Sequence, residues 1–124
     1  MLRRAATLVL ALAAFAPAAL GVPGFAPGDR ATVAAFYENL IASGDCPPDL
    51  AASPNGCRPT TSRRMWQTGE PLNSAVTYYP LPGALLRQLP ESPHDHVYVR
   101  VGRDILLITV GDHVVLDAIP DFGQ

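Results

Sequence analysis

The chain has 124 residues and not one lysine. That absence excludes a P-loop phosphate site, whose lysine reaches the phosphates, and any Schiff-base chemistry on an ε-amino group. All nine cations are arginine; against eleven Asp and Glu they leave a formal net charge of −2. No run of one charge sign occurs, so the composition provides no electrostatic footprint for nucleic acid or anionic lipid. Histidine, cysteine and tryptophan are scarce, at three, two and one. No serine sits in a strand–turn–helix elbow of the kind that presents a nucleophile.

What is present begins with a targeting pattern. Arg3 and Arg4 precede an uncharged apolar stretch, AATLVLALAAFA at 5–16, and small residues follow. This is the layout of a secretory signal peptide, expected over 1–21 with cleavage after Ala19-Leu20-Gly21; Ala16-Pro17-Ala18 is the second choice. The alternative is an uncleaved membrane anchor, but the stretch is shorter than the roughly 20 residues of a spanning helix. No second apolar span follows, because Asp104 and Asp112 interrupt the C-terminal hydrophobic region. The processed chain is therefore expected outside the cytoplasm, with no membrane span. It would form one small domain over 29–124 behind a flexible Pro/Gly-rich lead at 22–28.

Cys46 and Cys57 enclose CPPDLAASPNGC. Their spacing does not fit a CxxC redox or zinc half-site. In an exported chain two nearby cysteines are expected to form a disulfide. A catalytic thiol is the alternative, but Cys46 has no neighbouring base in sequence.

Hydrophobic periodicity predicts an α+β fold: an N-terminal helix, a disulfide loop, a short helix and a small antiparallel sheet of three to four strands. Asp29 can cap a helix through RATVAAFYENLIAS, with Val33, Phe36, Tyr37, Leu40 and Ile41 on one face and Gly44 ending it. Residues 45–71 look irregular, punctuated by Pro47-Pro48, Asn55-Gly56 and Pro59. One helical turn is expected over Thr61–Gln67, anchored by Trp66. Ala75–Tyr79 is a strand candidate, and 83–89 is a short helix ended by Pro90. Strands follow at about 97–101, 105–110 and 114–119, joined by turns at Gly102-Arg103-Asp104 and Gly111-Asp112-His113. The nearly continuous apolar run Ile105–Val110 is expected at the centre. Val97, Val99 and Val101 alternate with Tyr98 and Arg100, the pattern of a half-exposed strand.

Three groups of residues are candidates for chemistry. His94 and His96 flank Asp95, point to one side if extended, and can start a nickel, copper or zinc site. Asp112-His113 can add ligands if the turn folds towards them. Exposed loop histidines are the alternative. Arg63, Arg64 and Trp66 combine cations with an aromatic; they can bind an anionic partner or a sugar, or stack within the fold. Asp104 is expected to support its turn, and Asp117 to face solvent or pair with Arg100.

Four segments carry a family resemblance, in order along the chain: CPPDLAASPNGC at 46–57, MWQTGEPL at 65–72, VTYYPLP at 76–82 and YVRVGRDILLITVGDHVVLDAI at 98–119. Together they resemble the RcnB family of small periplasmic proteins linked to nickel and cobalt homeostasis, over roughly residues 28–121. The resemblance implies a non-enzymatic accessory role in the envelope. It would involve weak contact with nickel or cobalt through His94, His96 and His113, or contact with an envelope transporter or other periplasmic protein. Many members are His-rich or Lys-rich between the cysteine loop and the sheet. Here only His94 and His96 lie there, and RPTTSRR stands where a Pro-Pro-Gly stretch is more usual. The alternative function is an envelope protein-interaction or structural module with no direct metal role, in which an exposed sheet edge accepts a partner strand.

Overall fold

The computed structural model describes residues 23–60 and 63–124; the expected signal peptide lies outside them. Helix α1 spans Asp29–Ala42. A two-stranded hairpin follows, β1 (Leu50–Ser53) and β2 (Gly56–Pro59), and then β3 (Tyr79–Pro80) and the short helix α2 (Gly83–Leu86). Strands β4 (His96–Val101), β5 (Asp104–Thr109) and β6 (Val115–Ile119) lead to a tight C-terminal turn at Pro120–Gly123. The larger sheet is antiparallel in the order β3-β4-β5-β6. The α+β class, the disulfide loop, the short helix and the four-stranded sheet all agree with the sequence reading.

Both faces of this sheet are covered. Tyr98, Ile105, Leu107 and Ile119 pack against Val33 and Tyr37 of α1, Leu81, Leu85, Leu89 and Phe122. On the opposite face Val99, Val101, Leu106, Ile108 and Val115 pack under Leu72 and Val76, with Trp66 and Ala118 partly buried beside them. Strand β5 is thus apolar on both sides, as a central strand must be. A bulge between Leu107 and Ile108 shifts the β5–β6 register: Leu107 pairs with Asp117 and Ile108 with Val115. The extra residue lets Val115 and Ala118, three apart, contribute to one face.

Several expectations are corrected. Tyr98 and Arg100 are not half-exposed; both are buried, because α1 and the disulfide loop cover their face. Gly28, with φ 99°, caps α1, and Asp29 is its first residue, its carboxylate accepting the Ala26 N–H. Residues 63–67 form no helix. The strand expected at 75–79 shrinks to Tyr79–Pro80; Ala75 is instead turned by the Asn73 side chain, which accepts its N–H. Residues 45–59, expected to be irregular, contain the β1–β2 hairpin with its two-residue turn at Pro54-Asn55. The lead is pinned at Phe25, whose N–H donates to Asp117 and whose ring stacks on Tyr98. Asp117 therefore neither faces solvent freely nor pairs with Arg100.

Tyr37 carries the one buried side-chain polar atom without a hydrogen-bond partner among the described residues, its hydroxyl. Burial raises its pKa above the ordinary tyrosine value of 10.0, with Arg100 pulling the other way. A group raised in the folded state contributes stability that is intact below its unfolded pKa and is lost as pH rises through the folded one. We expect stability to decline above about pH 10, where an unfolded tyrosine ionises. Tyr37→Phe should flatten that decline. At neutral pH it should leave stability unchanged or raise it by about 1 kcal/mol, since an unsatisfied buried hydroxyl is removed. Urea melts of both proteins at pH 7 and above pH 10 check this; a clear loss at pH 7 would show that the hydroxyl is satisfied.

Candidate functional site

Two arginines, Arg100 buried and Arg103 half-buried, build one end of the molecule. Arg100, only 2% exposed, projects from β4 and donates to the carbonyls of Gly102 and Pro48, both at 2.8 Å. Its guanidinium lies 4.8 Å from the Tyr79 ring centroid. Burial pulls its pKa below the ordinary arginine value, against the opposing influence of Tyr37, Tyr79 and Asp49. Arg103, in the β4–β5 turn, donates to the Cys57 carbonyl at 2.8 Å and pairs with Asp121. It also lies over the Phe122 ring, 4.6 Å from its centroid. These arginines bind the disulfide hairpin to the sheet. The bridge itself joins Cys46 to Cys57, as expected.

Beside this clamp opens a cleft of about 510 Å³. It is lined by Asp49, by Pro59 and Thr60 with Arg63, Arg64 and Met65, by Ala75–Thr77, and by Val101–Asp104 with Asp121. The volume lies in the range of small-ligand sites, roughly 300–1,000 Å³. Trp66 follows Met65 in the chain. Its indole N–H donates to Asp104 Oδ2 at 2.7 Å, and Arg64 stacks 4.5 Å from the ring centroid. Asp104 Oδ1 also accepts the Asp121 N–H at 2.8 Å. One carboxylate thus fixes both the tryptophan and the C-terminal turn. Gly102, at φ 58°, supplies the left-handed residue that a two-residue hairpin turn needs there.

The structure therefore brings Arg63, Arg64 and Trp66 to one site, and the Arg–Trp stacking considered from sequence is present. It adds Arg103, Asp104, Val101 and Thr77, which the sequence reading did not join to it. The Gly102-Arg103-Asp104 turn was visible as a turn; the chain positions its side chains would meet were not.

The histidines behave differently. The His94 side chain is 94% exposed and lies 3.3 Å from that of its neighbour Asp95. His96 Nδ1 lies 2.6 Å from the His94 carbonyl; a carbonyl only accepts, so the proton is on Nδ1. His113 adopts φ 58° in its turn and meets Tyr78 edge-on. Among the described residues no three His, Cys, Asp or Glu side chains are grouped to hold a metal ion. The residues present do not fit a built nickel or cobalt centre, which needs several converging donors and an outer shell that orients them.

No helix among the described residues is long and apolar enough to cross a membrane. No protein-family model matches the chain, and no curated protein sequence matches it. Among solved structures it is similar to the C-terminal domain of the inner membrane protein CigR from Salmonella enterica, with a TM-score of 0.52 and 23% identity. The match covers 75% of this chain and 84% of that one. Identity at that level speaks for a shared fold and nothing further.

Proposed function

We propose that the chain is an exported, non-enzymatic accessory domain of the envelope that serves nickel and cobalt homeostasis by contacting a transporter or another periplasmic protein. The observation that carries this reading is the cleft, a groove lined by apolar side chains and arginines, mounted on a sheet buried on both faces. Its polar groups are held by one another and by backbone, the arrangement of a rigid recognition surface. The disulfide supports the exported setting. The homeostasis role rests on the resemblance of the four sequence segments.

In this reading the metal is handled by the partner. Calorimetric titration of Ni²⁺ and Co²⁺ into the folded protein at neutral pH should give no stoichiometric binding, and a His94/His96/His113 triple-Ala variant should give the same trace. One-to-one binding that disappears in the triple variant would replace this reading with direct chelation. Deletion of the gene should change growth on excess nickel or cobalt. Unaltered sensitivity would leave an envelope interaction module with no connection to metal.

A further inference from the structure

We propose that the cleft takes an extended acidic segment of the partner protein, one carboxylate meeting the Arg64 guanidinium and an apolar side chain lying on Val76 and Val101. This rests on the protein-contact reading above and adds the chemistry of what docks.

The argument is one of charge and shape. Three carboxylates line the cleft, and each has a cation or donor nearby: Asp49 acts on Arg100, and the other two are engaged directly. Asp121 is paired with Arg103, and Asp104 accepts both the Trp66 indole N–H and the Asp121 N–H. Arg64 differs: it is exposed, and among the described residues it pairs with no carboxylate. Its guanidinium is nonetheless held in place, because it stacks on Trp66 and Trp66 is fixed by Asp104. Stacking uses the face of a guanidinium and leaves its N–H edge free for a bidentate carboxylate. Val76 and Val101 line the same cleft with 9% and 8% exposure, and Met65 beside them is 43% exposed, so the cleft offers apolar contact, most of it through Met65. The net negative chain disfavours a polyanion or an anionic membrane, which need many cations at once. A ligand with one or two carboxylates and an apolar residue satisfies both parts of the cleft.

The test is titration of the ¹⁵N-labelled processed chain with two blocked tetrapeptides, Ac-Asp-Leu-Asp-Leu-NH₂ and Ac-Lys-Leu-Lys-Leu-NH₂. The acidic peptide should give saturable shifts at the Thr77 and Gly102 amides and the Trp66 indole, and the lysine peptide none there. Arg64→Glu should weaken the acidic peptide about tenfold or more, the size of a lost charge-assisted pair, and Arg64→Gln by less. The proposal is overturned by no saturable shift at millimolar peptide, by equal shifts with the lysine peptide, or by wild-type affinity in both Arg64 variants. It is overturned equally by cleft shifts that follow protein concentration without peptide, which would make a second copy the occupant. Failure here leaves the homeostasis reading to be decided separately by the growth of the deletion strain.

Discussion

Phe122→Ala should destabilise the domain by about 3–5 kcal/mol, the range for truncating a buried aromatic. Phe122 is 1% exposed in the turn at Pro120–Gly123. Its ring stacks on Tyr37 of α1 with centroids 4.0 Å apart, and the Arg103 guanidinium lies 4.6 Å from its centroid. Its N–H donates to the Arg103 carbonyl at 2.7 Å, so the turn is tied to the β4–β5 hairpin through both backbone and side chain. The chain reaches this position through left-handed Asp121 and Phe122, with φ 52° and 54°. Such conformations persist in non-glycine residues only where the surroundings compensate. Removing the ring leaves a cavity between helix and sheet and frees the turn to relax. For a domain of this size the loss corresponds to a fall in Tm of well over about 10 °C. Val110→Ala, at a side chain 54% exposed, should stay within about 0.5 kcal/mol. A thermal melt of both variants checks the contrast. A Phe122→Ala loss below about 1 kcal/mol would mean the C-terminal turn is not part of the core.

The second large effect concerns the disulfide. A Cys46→Ala/Cys57→Ala variant should lose about 3 kcal/mol, the chain-entropy value for a loop this short. The bridge spans a sequence separation of 11. Its effect should fall mainly on the unfolded chain, because Arg100 and Arg103 still hold the hairpin through the Pro48 and Cys57 carbonyls. Urea unfolding should therefore show a lower midpoint, while amide spectra of the folded state change only near the hairpin. Loss of signals across β4 and β5 in the absence of urea would show that the bridge, and not the arginine clamp, docks the hairpin.

The readable parts of this fold share a cause. Helix α1 and strands β4–β6 are long enough for their apolar periodicity to repeat, and the cysteine pair is close in sequence. Periodicity did not reveal which faces are covered. Arg100 alternates with valines as a solvent-facing residue would, yet the disulfide loop lies over it. The β1–β2 hairpin was signalled by Asn55-Gly56, but four-residue strands with Ala, Ser and Pro carry little hydrophobic alternation. Phe122 sits in PDFG, a four-residue turn too short to carry periodicity. The cleft joins residues 63–65 to residues 101–104, a contact set by long-range packing that no local pattern encodes. The histidines were locally suggestive at 94, 96 and 113, and the fold gives them no common centre.

The central claim is that the domain works through the cleft and not through its histidines. Complementation of a deletion strain on excess nickel and cobalt tests it most directly, provided that strain is metal-sensitive and each variant is present in the envelope at wild-type level. The account predicts that the His94/His96/His113 triple-Ala variant restores tolerance as well as the unaltered gene does, and that Arg64→Glu does not. Restoration by Arg64→Glu together with failure of the triple-histidine variant would contradict it.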